Sequence, residues 1–327
     1  MHNIIIAGCG GMSDAWIDFA VKRSGCRIVG LADIRLSAAE AKKDKFNLSA
    51  NTYSSIEEAL AKEDADLVFD ITIPEAHFHT VTSALRAGCH VFGEKPMSDS
   101  LADAERMVEC AEATGNEYFV MQNRRYLRMS SALKHFLESR RLGEIGQVSA
   151  NFQLGFHFGG FREEMDSPLI ADMAIHTFDT ARFLTGKNAI SVYCHEFNPP
   201  WSWFKGNAGA VCIFEMEDGS VFDYRGSWCA NGLNTPWESE WRISCADGTV
   251  FWDGSDKLFF GTTGGEICDI PSPPATPEGH EACIKEMFDA LECSARPQTD
   301  CRDNINSIRM VHKAIESAKL RKALALC

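Results

Sequence analysis

Nowhere in the 327-residue chain do eighteen apolar residues run together, so the sequence offers no membrane-spanning helix. It also lacks a Cys-x-x-Cys pair or any tight Cys/His grouping. The thirteen cysteines are odd in number and scattered from Cys9 to Cys327, which speaks against both a zinc site and a disulfide framework. Reduced thiols and a cytoplasmic location are the expectation. Basic residues are scarce beside acidic ones, Lys+Arg 32 against Asp+Glu 46, leaving a net charge of −14. Such a surface repels nucleic-acid backbones and anionic lipids, so neither is an expected partner. Tandem repeats and low-complexity tracts are absent, and the one proline-rich stretch, PSPPATPEG at 271–279, is expected to be a linker ahead of the last helices. The opening MHNIIIAGCGGMSDAW has no Lys or Arg before its short apolar run and does not read as a signal peptide. What remains has an ordinary globular composition, 45% hydrophobic and 24% charged, at a length near two domains of ~150 residues each.

The first 120 residues alternate strands with helices. Asn3–Ala7 is an apolar strand, followed by Gly8-Cys9-Gly10-Gly11-Met12-Ser13 and a helix with Met12, Trp16, Ile17, Ala20 and Val21 on one side. A second strand, Arg27–Ala32, ends in Asp33. Each part has a mechanical reason. Gly8 permits a tight turn, Gly10 lets backbone approach a pyrophosphate, and Ser13 is small enough for close packing of helix on strand. The helix amino terminus offers free N–H groups to the phosphates. Asp33 would accept hydrogen bonds from ribose hydroxyls and repel a 2′-phosphate, favouring NAD over NADP, although Arg35 could hold such a phosphate.

Further along come helices over Ala38–Phe46 and from Ser54-Ser55-Ile56-Glu57-Glu58, where two capping boxes overlap, then a strand over Asp66–Ile73. A helix at Glu75–Ala87, a strand at His90–Phe92, a helix at Leu101–Ala113 and a strand at Tyr118–Met121 follow. The alternation implies a doubly wound parallel sheet, with ligands beyond the carboxyl ends of its strands. The segments there are Gly8–Ser13, Asp33–Arg35, Thr72-Ile73-Pro74 to His77, Gly93–Pro96 and Asn123–Tyr126. His77 and His79 lie two apart early in a helix, where they do not share a face, so no metal is expected.

With Glu94-Lys95-Pro96 after a strand, the chain resembles the glucose–fructose oxidoreductase / inositol dehydrogenase / MocA family of nicotinamide-dependent enzymes. The resemblance is carried over nearly the whole length by IIIAGCGGMS, ITIPEAHFHTVTSALRAGCHVFGEKPMS, QNRRY, LGEIGQV and IADMAIHTFDTARFLTG. It departs at Thr72-Ile73-Pro74-Glu75-Ala76-His77, where the proline stands one place late, and at Gly88-Cys89-His90, where a lysine is usual. The resemblance implies a cofactor-binding set of Gly8, Gly10, Gly11, Met12, Ser13, Asp33, Arg35, Thr72, Ile73, Pro74, His77, Glu94, Lys95 and Asn123. It also implies a cis Lys95–Pro96 bond.

Removing hydride from a secondary alcohol requires a base for the hydroxyl proton and a positive charge beside the developing alkoxide. Lys95, at a strand end in the cofactor cleft, suits the second task, with Pro96 restricting its backbone. His176 suits the first, since imidazole titrates near neutrality. On the expected helix 169–185, Asp172 and His176 are four apart and Asp179 three further on, so all three are placed on one face. Asp172 would orient the ring or bind another substrate hydroxyl, and Asp179 would hold structure. Family members use the matching lysine, aspartate and histidine as the catalytic set.

From Gly146 the pattern turns to strands at 147–154, 189–197, 208–215, 220–228, 241–245 and 249–252, with hairpin turns at Asp218-Gly219 and Asp247-Gly248. This reads as an α+β domain with a large, mostly antiparallel, open-faced sheet. The expected division is an NAD(P)-binding Rossmann domain at 1–123 and a substrate-binding and oligomerisation domain at 124–327, with helices 279–295 and 302–324 packing back on both. Six of seven tryptophans fall in the second half, and those on strands are expected to be core. Trp201 and Trp203 in a loop, His157 in FHFGGFREEMDSP, and Arg124 and Tyr126 after QN are candidate substrate contacts. The uncovered sheet face would make a homodimer or homotetramer, as in the family.

These readings point to an oxidoreductase moving hydride between NAD and a secondary hydroxyl or carbonyl of a sugar, inositol or related polyol. One alternative is a glycosidase that oxidises a hydroxyl transiently with bound NAD and eliminates the glycosidic substituent. Another is a non-catalytic nicotinamide sensor, which retention of Lys95, Asp172 and His176 speaks against. A methyltransferase would leave Glu-Lys-Pro and the Asp/His helix without a purpose.

Overall fold

The computed structural model describes residues 1–273 and 277–326. The middle of the expected linker, residues 274–276, lies outside them. The chain divides into two compact units, Met1–Asn123 with His280–Ile305, and Arg124–Gly279 with Asn306–Cys327.

In the first unit the elements run β1 (His2–Ala7), α1 (Ser13–Lys22), β2 (Cys26–Ala32), α2 (Leu36–Lys45), β3 (Asn51–Tyr53), α3 (Ile56–Lys62), β4 (Leu67–Asp70), α4 (Pro74–Arg86), β5 (His90–Gly93), α5 (Leu101–Thr114) and β6 (Tyr118–Val120). The sheet order is β3-β2-β1-β4-β5-β6, with every pairing parallel. Its order reverses between β1 and β4, the switch point at which such sheets open a ligand crevice. The central strands are apolar on both faces because helices cover both: Ile4, Ile5, Ile6, Leu67, Val68, Phe69, Val91 and Phe92 are fully buried. Phe69, Phe92 and Phe119 stack in a row, and Phe288 meets the first two edge-on. Each such ring contributes about 1.5–3 kcal/mol by leaving water. Ser55 caps α3 by accepting from Glu58 N at 3.2 Å. The three-residue β3 was not anticipated; at that length Asn51-Thr52-Tyr53 has no alternation to read.

The second unit follows a 3-10 turn at Asn123–Tyr126. It comprises α6 (Arg128–Glu138), β7 (Ile145–Gln153), the four-residue α7 (Phe161–Glu164), a π-helix at Leu169–Ala174, α8 (Ile175–Thr185), β8 (Ala189–Phe197), β9 (Gly209–Met216), β10 (Val221–Ser227), β11 (Glu240–Cys245), β12 (Gly248–Trp252), β13 (Leu258–Thr262) and β14 (Ile267–Asp269). The chain then forms α9 (Gly279–Glu292), α10 (Cys301–Leu320) and β15 (Leu324–Ala325). Among the described residues nine strands make one sheet in the order β14-β13-β12-β11-β7-β10-β9-β8-β15. All pairings are antiparallel except β10 with β7. One face holds Trp241, Trp252, Phe214, Phe222 and Tyr224, all buried; the other leaves Tyr193, Val211 and Ile213 on β8 and β9 between 43% and 50% exposed. The period-2 alternation of half-covered strands explains both.

The single helix expected over 169–185 is corrected. Its first six residues are π-helical and only Ile175–Thr185 is α-helical. A π turn inserts a residue into the helical repeat, which changes where the side chains of that turn point, and such turns are frequent at functional sites.

Candidate active site

Strand ends in the first unit bring together the glycine turn, Asp33, Thr72 and Glu94. Gly8 has φ +88, and a Cβ there would lie 2.4 Å from Ile71 O, so the protein itself demands glycine at the close approach of β1 to β4. At Gly10 and Gly11 an added Cβ would meet nothing within 4 Å. Those two positions therefore face open space, the kind of cradle a pyrophosphate fills. Ser13 is fully buried and its Oγ donates to Gly10 O at 2.7 Å, bracing the turn. Met12, the helix N-cap, supplies no side-chain cap, and the amides of Asp14 and Ala15 make only long bonds of 3.4 and 3.3 Å. The positive end of α1 is left available to an anion.

Asp33 closes β2. Its two oxygens accept the backbone N–H groups of Cys9 and Arg35, each at 2.8 Å, and keep lone pairs for further donors. Arg35 Nε lies 3.9 Å from the carboxylate while its side chain is 72% exposed. At the end of β4, Asp70 accepts from Thr72 Oγ1 at 2.6 Å and pairs with His77 Nδ1 at 2.7 Å. Thr72, Ile73 and Pro74 border the strand end, but the His77 ring is buried beneath them and ties α4 to β4. Burial opposes its protonation; the Asp70 carboxylate outweighs burial and holds its pKa above the usual imidazole value. His79 instead pairs with Glu57. Among the described residues no group of three or more His, Cys, Asp or Glu could hold a metal ion.

Glu94 is buried and clasped after β5. Trp16 Nε1 donates to Oε1 at 2.8 Å, the Lys95 amide donates to Oε2 at 3.2 Å, and His280 Nε2 lies 3.8 Å away. Asn123 Nδ2 donates to His280 Nδ1 at 3.3 Å, which joins Asn123 to the same network. The Lys95–Pro96 peptide is cis. In the sequence Trp16 belongs to an apolar helix face, which hides its contact with Glu94, and His280, isolated after a proline-rich stretch, carries no sequence signal at all.

In the second unit Asp172 lies in the π-helix and His176 and Asp179 in α8, all three buried. Asp172 Oδ2 accepts from Arg162 Nε at 2.7 Å. Asp179 is bound on both oxygens by Arg125, at 2.7 and 2.6 Å, and by Ser307 Oγ at 2.6 Å. Of the candidate substrate contacts, His157 stacks on Trp203 with centroids 3.6 Å apart, while Trp201 is 61% exposed and donates to Cys229 O at 3.2 Å. Arg124 donates to Trp237 O and lies 3.8 Å from Glu238, and Tyr126 is half-buried. The strand tryptophans Trp241 and Trp252 are buried core, as is Trp228.

Residues 2–122 match the sequence model of an oxidoreductase family with an NAD-binding Rossmann fold, and residues 131–251 match the C-terminal domain of the same family. The chain belongs to the Gfo/Idh/MocA family of oxidoreductases. Residues 2–122 are its NAD-binding Rossmann domain. Among Gfo/Idh/MocA relatives, D-apiose dehydrogenase of Rhizobium rhizogenes is 26% identical over 96% of this chain and 94% of its own. Inositol 2-dehydrogenase of Salmonella typhimurium is 28% identical over 52% of this chain and 51% of its own, so the chain aligns with about half of that enzyme. An oxidoreductase from Agrobacterium radiobacter, solved with NAD+, L-tartaric acid and magnesium, shares the fold at a TM-score of 0.90, with 22% identity over 99% of this chain and 98% of that one. Among the described residues no helix is long and apolar enough to cross a membrane.

Proposed function

We propose that this protein is an NAD-dependent dehydrogenase or reductase acting on a secondary hydroxyl or carbonyl of a sugar, inositol or related polyol. The observation that carries this reading is the retention of Lys95, Asp172 and His176 in a chain of a family whose relatives include D-apiose and inositol dehydrogenases. The open space at Gly10 and Gly11, the uncapped start of α1 and the doubly anchored Asp33 fit a dinucleotide. Asp33 favours NAD over NADP, because a 2′-phosphate would meet a carboxylate. When bound, the nicotinamide supplies the acceptor or donor of hydride.

The chain's own residues do the rest. His176 takes the hydroxyl proton during oxidation and returns it during reduction. Lys95, an ammonium just past the end of a strand of the cofactor-binding sheet, suits stabilising the negative charge that develops on an alcohol oxygen. Asp172 accepts from a neighbouring substrate hydroxyl, and Thr72, Glu94 and Asn123 support the cofactor end. The exposed Tyr193, Val211 and Ile213 suit burial against a second copy.

Purified protein incubated with NAD or NADP and a panel of sugars and polyols, followed by nicotinamide absorbance, tests the reading. Turnover of a polyol with NAD supports it. Retained NAD with glycoside cleavage and no net NADH would replace it with the elimination mechanism.

A further inference from the structure

Two aspartates on the Leu169–Thr185 run are each held by an arginine, and the two are held differently. Arg125 grips Asp179 through two bonds, with side chains only 6% and 2% exposed, which is the geometry of a permanent clamp. Arg162 donates to Asp172 Oδ2 through Nε at 2.7 Å, and 34% of its side chain stays exposed. It is carried on the four-residue α7, entered through Gly159 and Gly160 at φ +67 and +72.

That short helix is aimed by its surroundings. Lys205 N donates to Glu163 O and Asn207 N to Asp166 O, both at 2.8 Å. A Cβ on Gly206 would lie 2.1 Å from Asp166 O, so the two loops close to backbone contact. The guanidinium carbon sits 5.5 Å from the Phe158 ring and 4.7 Å from the Phe161 ring, which restrict its plane. The neighbouring acids are already engaged, Glu163 by Gly159 N at 3.1 Å and Glu164 by Lys205 at 3.4 Å. Arg162 is thus turned toward Asp172 by packing as well as charge.

We propose that Arg162 is a positioning residue for Asp172. It fixes the carboxylate in one orientation with its negative charge matched, so that Asp172 serves as a hydroxyl acceptor while proton transfer falls to His176. The proposal rests on the functional reading of Asp172 and His176 given above.

The test compares Arg162→Met, Arg162→Lys, Asp172→Asn and His176→Ala on a polyol that the wild type turns over, with thermal unfolding and NAD affinity measured alongside. Arg162→Met should lower kcat/KM about 10- to 100-fold, the range for a lost hydrogen bond to a charged group, with NAD affinity unchanged. Arg162→Lys should fall between it and wild type. Guanidinium ion, at concentrations too low to denature, should restore activity several-fold to Arg162→Met and none to Asp172→Asn. Wild-type kcat/KM in Arg162→Met, with activity lost in Asp172→Asn and His176→Ala, overturns the proposal and leaves the functional reading standing. A loss in Arg162→Met matched by Arg162→Lys, accompanied by a lower Tm and no rescue by guanidinium, makes Arg162 merely structural and also overturns it. Wild-type activity in Asp172→Asn and His176→Ala overturns the functional reading itself, and the proposal with it.

Discussion

Replacing Glu196 by glutamine should stabilise the protein at pH 8 and leave it unchanged near pH 4.5. Glu196 is on β8 at the same parity as buried Val192 and Cys194. One carboxyl oxygen accepts from Ser167 Oγ at 3.0 Å; the other is buried with no hydrogen-bond partner among the described residues. Burial pushes its pKa from 4.5 up to about 7, against smaller opposing pulls from Ser167 and the Lys319 ammonium. Between those two values the folded chain keeps a proton that the unfolded chain has released. Stability therefore falls as pH rises through that window and is flat beyond it. A shift of this size corresponds to about 2–3 kcal/mol once partial solvent access is allowed for. Glutamine keeps the shape and the Ser167 contact without the charge. At about 2–4 °C per kcal/mol for a unit of this size, the variant should melt roughly 5–10 °C above wild type at pH 8. Differential scanning calorimetry on both proteins at the two pH values reads this directly. An equal Tm difference at both would show that the carboxyl is solvated and that the burial argument is wrong.

Lys95→Ala and His176→Ala should each lower kcat by on the order of 10²–10⁴ while NAD still binds, and near-wild-type turnover in both would remove them from the chemistry. Asp33→Ser should raise the ratio of kcat/KM for NADP over NAD by at least about tenfold, because the repelling carboxylate goes and Arg35 becomes free to meet a phosphate; an unchanged ratio would mean that Asp33 does not select the cofactor. Asp179→Ala should cost about 3–5 kcal/mol in urea unfolding, since it removes the buried carboxylate that Arg125 grips through two bonds and Ser307 through one, and a loss under about 1 kcal/mol would refute the clamp.

How much of this was legible depended on whether a feature repeats along the chain. The buried strands of the first unit announce themselves because a parallel strand covered on both faces is a continuous apolar run, as in Ile4-Ile5-Ile6 and Leu67-Val68-Phe69. The glycine turn was equally visible, and the reasons proposed for it separate in the structure. Gly8 is required by the protein's own backbone, whereas Gly10 and Gly11 are required by nothing in the chain. The π-helix carried no such signal, because the six residues Leu169–Ala174 are too few for an apolar pattern to separate the α repeat from the wider π repeat, and only hydrogen bonds tell them apart.

Arg162 was hidden for a related reason. Its partner Asp172 is ten positions away across a loop, and no local spacing rule links an arginine on a four-residue helix to a carboxylate on the next one. Glu196 is the opposite case. The alternation along β8 puts Val192, Cys194 and Glu196 on one face, and the first two are core residues, so an acid at core parity was readable from the sequence as soon as the strand was. A charged residue placed by period-2 logic on the covered face of a sheet must be paired or have a raised carboxyl pKa. The Ser167 contact and the pull of Lys319 supply too little pairing to offset burial, which is why the pKa rises, and why pH rather than denaturant is the variable that would expose it.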